Sequence, residues 1–202
     1  NLLSEGDKHD VHWKFGQKLR QLFNSACNLT DIFEVVNHLN KGRKVLFSDI
    51  LDSRVLELAE LNLQACKKAK SSVAAKEALA YVTVALECIN KFGEEKRWNE
   101  HYDLTFMIYK ELADSYYLDS DFENSRATLG LVLGKCKTNI EKANLLLLKL
   151  MQQTLQNELR DAVQTGISAL SLCGVEVKSS STEESFQATL QAEIASLKQL
   201  VE

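Results

Sequence analysis

The chain has 202 residues, 45% of them hydrophobic, and a formal net charge of −4 from 24 basic and 28 acidic residues. Such a composition excludes a disordered chain, and the near balance of charge excludes a long-range field that would draw nucleic acid or an anionic membrane surface. Proline breaks helix interiors but serves the turns of sandwiches, barrels and α/β folds, so a chain with none, and with only eight glycines, predicts an all-α protein of long helices and short turns.

The chain opens on Asn1 rather than Met, which points to a piece of a longer protein, and residues 1–8 read as a polar leader. A first helix is expected over 9–24, with Val11, Phe15, Leu19, Leu22 and Phe23 on its inner side. A second follows the cap candidates Asn28 and Thr30 and turns Ile32, Phe33, Val36 and Leu39 inward, with Gly42 expected to bend or stop it. The third, 53–71, carries Val55, Leu58, Ala59, Asn62, Cys66 and Ala69 on one stripe. The fourth, 73–92, repeats the pattern from Ala75 and Ala78 to Ile89, and Gly93 reads as its stop signal. A charged connection, 94–97, then leads to Trp98, whose bulk is expected to seal a hairpin entrance.

Helices at 99–118 and 122–136 share a short turn at 119–121. Tyr109, Leu112, Ala113, Tyr116 and Tyr117 recur at three-and-four spacing on the first, and Phe122, Ser125, Leu129, Val132 and Leu133 on the second. Ala113 and Ser125 sit where two closely approaching helices cannot both carry bulk. Asn139 reads as the cap of a further helix with an inward stripe from Ile140 to Met151, including the leucine run 145–148 as core. A helix over 159–173 ends at Gly174, and a Ser-rich linker, 178–182, precedes a last one. There Ser181 and Glu184 have capping-box spacing, and the stripe Phe186, Leu190, Ile194 and Leu197 is that of an end helix covering a stack.

Overlaying the second helices of three hairpins shows a degenerate repeat. Ala78, Ser125 and Ala162 are each followed seven residues later by Ala85-Leu86, Val132-Leu133 and Ala169-Leu170. The intervals are irregular and exceed the usual tetratricopeptide period, but the pattern is that of hairpins whose apolar faces are buried by stacking. The expected architecture is an all-α, tetratricopeptide-like right-handed α-solenoid of antiparallel helix pairs with about nine helices. Its expected divisions are a helical junction over 1–52, three hairpins over 53–177, and a linker with a capping helix over 178–202.

Several runs resemble one region of very large signalling proteins. They are IFEVVNHLNKGRKVL at 32–46, LAELNLQACKKAKSSVAAKEALAYVTVAL at 58–86, WNEHYDLTFMIYKELADSYYLDSDFENSRATL at 98–129 and AVQTGISALSLCGVEV at 162–177. The resemblance is to multidomain sensor kinases. These join a protein-kinase-like domain, an AAA-type (STAND-like) ATPase, a tetratricopeptide-like helical region and C-terminal sensor and histidine-kinase modules. LLSEGDKHDVHWKFGQKLRQLF at 2–23 resembles the junction that follows the winged-helix end of the ATPase in that family. Ala75 stands where the family usually has an aromatic, and Cys66 where glycine is common. The family's phosphate loop, catalytic-loop HRD and phosphoacceptor-histidine motifs are not in this chain.

Candidate sites are weighed against plain helix surface. His9, Asp10 and His12 lack the third and fourth ligands of a metal site, and His38 and His101 read as structural. The clusters Lys41–Lys44 and Lys67–Lys70 could meet phosphate or an acidic partner, but a solvated face is the default for such short runs, and carboxylates such as Glu111 and Asp114 are usual on exposed helix surface. The five cysteines, Cys27, Cys66, Cys88, Cys136 and Cys173, form no C-x-x-C pair and suit a reducing cytoplasm. No signal peptide and no apolar run of bilayer-spanning length is found. The best candidate is a surface, the concave groove of a repeat stack, presenting Lys67 and Lys70, then Lys110, Asp114 and Tyr117, then Met151 and Thr154. The alternative is that terminal helices fill this groove.

The expected function is a non-catalytic module that couples an ATPase- or kinase-like switch to downstream sensor or histidine-kinase domains through protein contacts. No cofactor, nucleic acid, membrane or small-molecule ligand is implied, and other domains of the parent chain are the expected partners. The alternative is a free-standing scaffold that binds a peptide. A small helical enzyme lacks any convergent polar constellation.

Overall fold

The computed structural model describes residues 5–24, 31–48 and 52–176. All regular structure among them is helical, in nine helices: α1 Glu5–Asn24, α2 Ile32–Ser48, α3 Asp52–Ser71, α4 Ala75–Asn90, α5 Gly93–Asn99, α6 Tyr102–Leu118, α7 Phe122–Leu133, α8 Asn139–Leu155 and α9 Leu159–Leu172. The count agrees with expectation but its members differ. The connection at 94–97 is itself the short helix α5, while the cap candidates Asn28 and Thr30 and the expected linker and capping helix over 178–202 lie outside the described residues.

The chain divides into two compact units, Asn1–Lys137 and Thr138–Glu202. In the first, sequential helices pack in pairs, α1 on α2, α3 on α4 and α6 on α7, and the pairs are joined mainly through α2 on α3 and through α4 on α6. Its core runs from Trp13 through Val35, Val36 and Leu39 of α2, Val55, Leu58 and Ala59 of α3, and Val82, Ala85 and Ile89 of α4 to Ile108 and Leu112 of α6. The stripe expected on α3 is buried in full, including Asn62. That polar side chain is satisfied: it exchanges reciprocal amide hydrogen bonds with Asn40 at 2.8 and 2.9 Å and donates to the Leu58 carbonyl at 2.9 Å.

The α1–α2 pair corrects three expectations. Val11, Phe15 and Leu22 are exposed, while Trp13 and Gly16 of α1 are buried. The helix also begins at Glu5, so part of the supposed leader is helical. Gly42 neither bends nor stops α2, which runs through it to Ser48. A Cβ there would stand 2.6 Å from the Trp13 backbone nitrogen, and one on Gly16 would stand 2.8 Å from Leu39 Cδ2. The two glycines let the backbones approach closely, and this contact, not the periodicity of the large apolar residues, sets which face of α1 is covered.

In the central hairpin the register follows the sequence. Ser125 Oγ donates to the Ala113 carbonyl at 2.7 Å, and both residues are fully buried. The turn is closed by Ser120 in the left-handed region, φ 67°, and Asp121 caps α7 by accepting from the Asn124 amide at 3.2 Å. Trp98 is buried, with ring centroids 5.4 Å from Tyr109 and 6.0 Å from Tyr102. Tyr102 Oη holds the end of this unit, accepting from the Lys137 amide at 3.1 Å and donating to the Lys135 carbonyl at 3.3 Å.

In the second unit, α8 packs on α9. Thr138, not Asn139, caps α8: its hydroxyl accepts from the Glu141 amide at 3.1 Å while Glu141 Oε2 accepts from the Thr138 amide at 2.9 Å. The leucine run is not uniformly core. Leu145 is fully buried, but Leu147 and Met151 are each 54% exposed and Ile140 is 73% exposed. Gly166 admits close packing, because a Cβ there would meet Leu150 Cδ1 at 2.9 Å.

Candidate functional site

Two of the expected groove residues meet each other. Lys70 lies in the last turn of α3, and Glu111 and Asp114, three residues apart, share one face of α6. Lys70 Nζ is 2.6 Å from Glu111 Oε2 and hydrogen-bonds Asp114 Oδ2. The three side chains retain only 19%, 10% and 24% of their exposure. Burial of the ammonium pulls the Lys70 pKa down, but hydrogen bonds to Asp114 and Glu111 outweigh it and hold the group above the ordinary lysine range. One turn earlier on α3, Cys66 Sγ lies 3.6 Å from Ser115 Oγ. The α3–α6 seam is therefore a polar strip set inside an apolar contact.

Glu111 corrects the expectation of an exposed carboxylate, since it is buried. The sequence signal was its place beside Leu112 within the apolar stripe of α6, with Lys70 closing the matching stripe of α3. A buried charge at such a position requires an opposite one.

The other expected groove residues are distributed differently. Lys67 is exposed, Lys110 is half-buried, and the half-buried Tyr117 ring stands 5.3 Å from Phe122 across the hairpin turn. Met151 and Thr154 lie on α8, where Thr154 donates to the Leu150 carbonyl at 2.8 Å. Thr154 also lines an open apolar groove of about 470 Å³ with Leu150 of α8 and Leu159, Val163, Gly166 and Leu170 of α9.

A second polar contact joins α1 to α2. His12 Nδ1 and His38 Nδ1 are 2.9 Å apart, and the Phe15 ring packs edge-on against His38. One imidazole must donate and the other accept, so both cannot carry a proton on the facing nitrogen. Burial, then the neighbouring His12 and Lys41, lower the His38 pKa, against a weaker opposite pull from Glu34. His9 Nδ1 lies instead 2.6 Å from the Lys41 carbonyl. No group of three or more His, Cys, Asp or Glu side chains capable of holding a metal occurs among the described residues.

Two of the thiols, Cys66 and Cys88, are buried and held back from nucleophilic chemistry. Burial raises the Cys66 pKa and pushes that of Cys88 up to about 12. Cys136 is half-buried, Cys173 is exposed, and Cys27 lies outside the described residues. No helix among the described residues is long and apolar enough to cross a membrane.

Comparison with known proteins places a relative beside this geometry. The chain is similar to hybrid signal transduction histidine kinase G of Dictyostelium discoideum, with 30% identity over 152 residues. The match covers 72% of this chain and 4% of that protein, so the chain spans a small share of the relative's length. No protein-family model matches the chain, and no solved structure matches it.

Proposed function

We propose that this chain is a non-catalytic helical-repeat module of a multidomain signalling protein. On this reading it couples an ATPase- or kinase-like switch to downstream sensor or histidine-kinase domains by protein contacts. The observation that carries the proposal is the similarity, over 72% of the chain, to a stretch amounting to 4% of a hybrid signal transduction histidine kinase. A segment that is so small a share of a signalling kinase, and that is built of paired helices, fits a connecting element. The repeat overlay supports a tetratricopeptide-like stacking of those pairs. The partners are other domains of the same parent chain, and the compartment is the cytoplasm.

The chain's own residues support coupling better than catalysis. A closely packed triad of charged side chains, Lys70, Glu111 and Asp114, is internally paired and ties α3 to α6. A two-helix tie of that kind transmits a displacement of one helix pair to the next, which is what a coupling element requires. The test is made in a longer protein carrying this segment, by comparing autophosphorylation of the parent with that of Lys70→Met. Coupling predicts that the variant binds nucleotide normally in the parent's ATPase domain but loses signal-dependent phosphorylation. Unchanged signal dependence overturns the proposal, as does ATP binding by the isolated segment at micromolar concentration in calorimetry.

A further inference from the structure

Helices α1 and α3 border a small cleft, with Leu39 of α2 between them. Gln17 and Arg20, three residues apart, line it from α1, and Arg54 and Glu57, also three apart, line it from α3. Its apolar side is made by the buried Trp13, Leu39 and Leu58. The cavity holds about 90 Å³, the volume of about three water molecules in the liquid.

The polar groups of this cleft are unequally satisfied. Arg20 and Glu57 form an ion pair between α1 and α3, their side chains 32% and 34% exposed. Arg54 is exposed and Gln17 half-buried, and neither has a hydrogen-bond or ion-pair partner among the described residues. The indole N–H of the buried Trp13 is also without one there. On open helix surface a single guanidinium is simply hydrated. Here it borders an apolar recess that two further unpartnered donors share, and Glu57, the carboxylate of the cleft, is taken by Arg20. Two arginines against one glutamate leave the cleft an excess positive charge.

We propose that the α1–α3 cleft binds a small organic anion, a carboxylate on a short aliphatic stem. The carboxylate accepts from the Arg54 guanidinium, whose fork of N–H donors suits two oxygens, and from the Gln17 amide. The stem lies against Trp13, Leu39 and Leu58, where each added methylene leaves water until the cavity is full. The ligand class follows from this fit. An inorganic anion leaves the apolar side uncovered, an amine meets the excess positive charge, and a nucleotide exceeds the volume. The cleft shares no residue with the Lys70–Glu111–Asp114 tie, so its ligand is tested apart from coupling.

The experiment is a two-dimensional NMR titration of the full chain, at fixed ionic strength, with acetate, butanoate, octanoate and butylamine. Arg54→Met and Gln17→Leu are the variants. Lys14→Met, which removes an exposed positive charge of α1 outside the cleft, is the control. Because neither varied side chain holds a partner among the described residues, both variants are expected to keep the parent's spectrum away from the cleft. Butanoate is expected to move the Gln17 side-chain and Trp13 indole signals and to saturate with a Kd of roughly 1 mM or below. Acetate, two methylenes shorter, binds roughly tenfold more weakly, and octanoate binds no tighter than butanoate because its extra stem stays in water. Arg54→Met weakens butanoate binding roughly tenfold or more through loss of a charge-assisted hydrogen bond, and Gln17→Leu weakens it by a smaller factor. Lys14→Met leaves it unchanged. Absence of saturable shifts with butanoate overturns the proposal, as does undiminished binding to Arg54→Met. So does equal binding of butylamine, tighter binding of octanoate, or a loss in Lys14→Met that matches the loss in Arg54→Met.

Discussion

Lys70 shows how a single residue can change from surface to structure. On sequence spacing it belongs with Lys67 in an exposed basic run, yet its ammonium is held between Glu111 and Asp114. Removing it leaves Glu111 buried without a counter-charge, and breaking a buried pair in this way costs about 3–5 kcal/mol. Lys70→Ala is therefore expected to lower the denaturation midpoint markedly, and Lys70→Met with Glu111→Leu to lower it much less, as read by urea melts. The folded chain also holds the Lys70 proton more tightly than the unfolded chain does. Its contribution is fully present below the ordinary lysine value of 10.5 and is lost as pH rises through the higher folded value. His38 works in the opposite direction. Its folded pKa lies below the ordinary 6.5, so its contribution is present above pH 6.5 and is lost as pH falls through the folded value. Melts of His38→Gln between pH 7.5 and 5 should lose part of the acid sensitivity that the parent shows. Equal acid sensitivity in both chains would show that the His12–His38 contact does not titrate.

At the scale of elements, small residues decide how helices meet. Ala113 and Ser125 touch at the center of the α6–α7 hairpin, and Ala113→Trp must separate the helices there, at a cost of about 1–3 kcal/mol. Tyr117 is only half-buried, so Tyr117→Ala is expected to shift the thermal midpoint less. A reversed order of midpoints would overturn the register. The glycines provide a sharper comparison. A methyl at Gly42 collides with the backbone of Trp13 at 2.6 and 2.7 Å, and a helix backbone cannot move aside cheaply. A methyl at Gly166 meets only the tip of the Leu150 side chain at 2.9 Å, which can rotate away, while alanine gains up to about 1 kcal/mol in helix propensity. Gly42→Ala should thus destabilise clearly, and Gly166→Ala should be near neutral or stabilising. Chemical denaturation of the two variants side by side checks the order.

For the whole molecule, the helical class and much of the element order were legible because they rest on local chemistry: no proline, a 3.6-residue apolar period, and glycine or capping residues at the ends. Circular dichroism of the full chain should accordingly show helical minima, and a substantial β-sheet signal would contradict the fold class. The stripes of α3, α4 and α6 were also readable, since these helices are covered on the face their apolar residues define. What the sequence alone could not supply was which neighbour covers each face. On α1, Trp13 and Gly16 are residues that face α2 while Phe15 and Leu22 stay exposed, because the close approach of Gly16 to Leu39 and of Gly42 to the Trp13 backbone outweighs the larger apolar stripe. On α8, leucines of one run divide between a buried position and an exposed one, because packing against α9 covers only part of that helix. Lys70 and Asp114 were placed side by side on a groove by repeat register, whereas their bond depends on α3 and α6 meeting across 44 residues of chain. Local periodicity determines that a helix forms and where its apolar residues lie. Only the tertiary structure decides which of those residues are buried and which charges find each other, because burial and ion pairing belong to the approach of two elements rather than to either one.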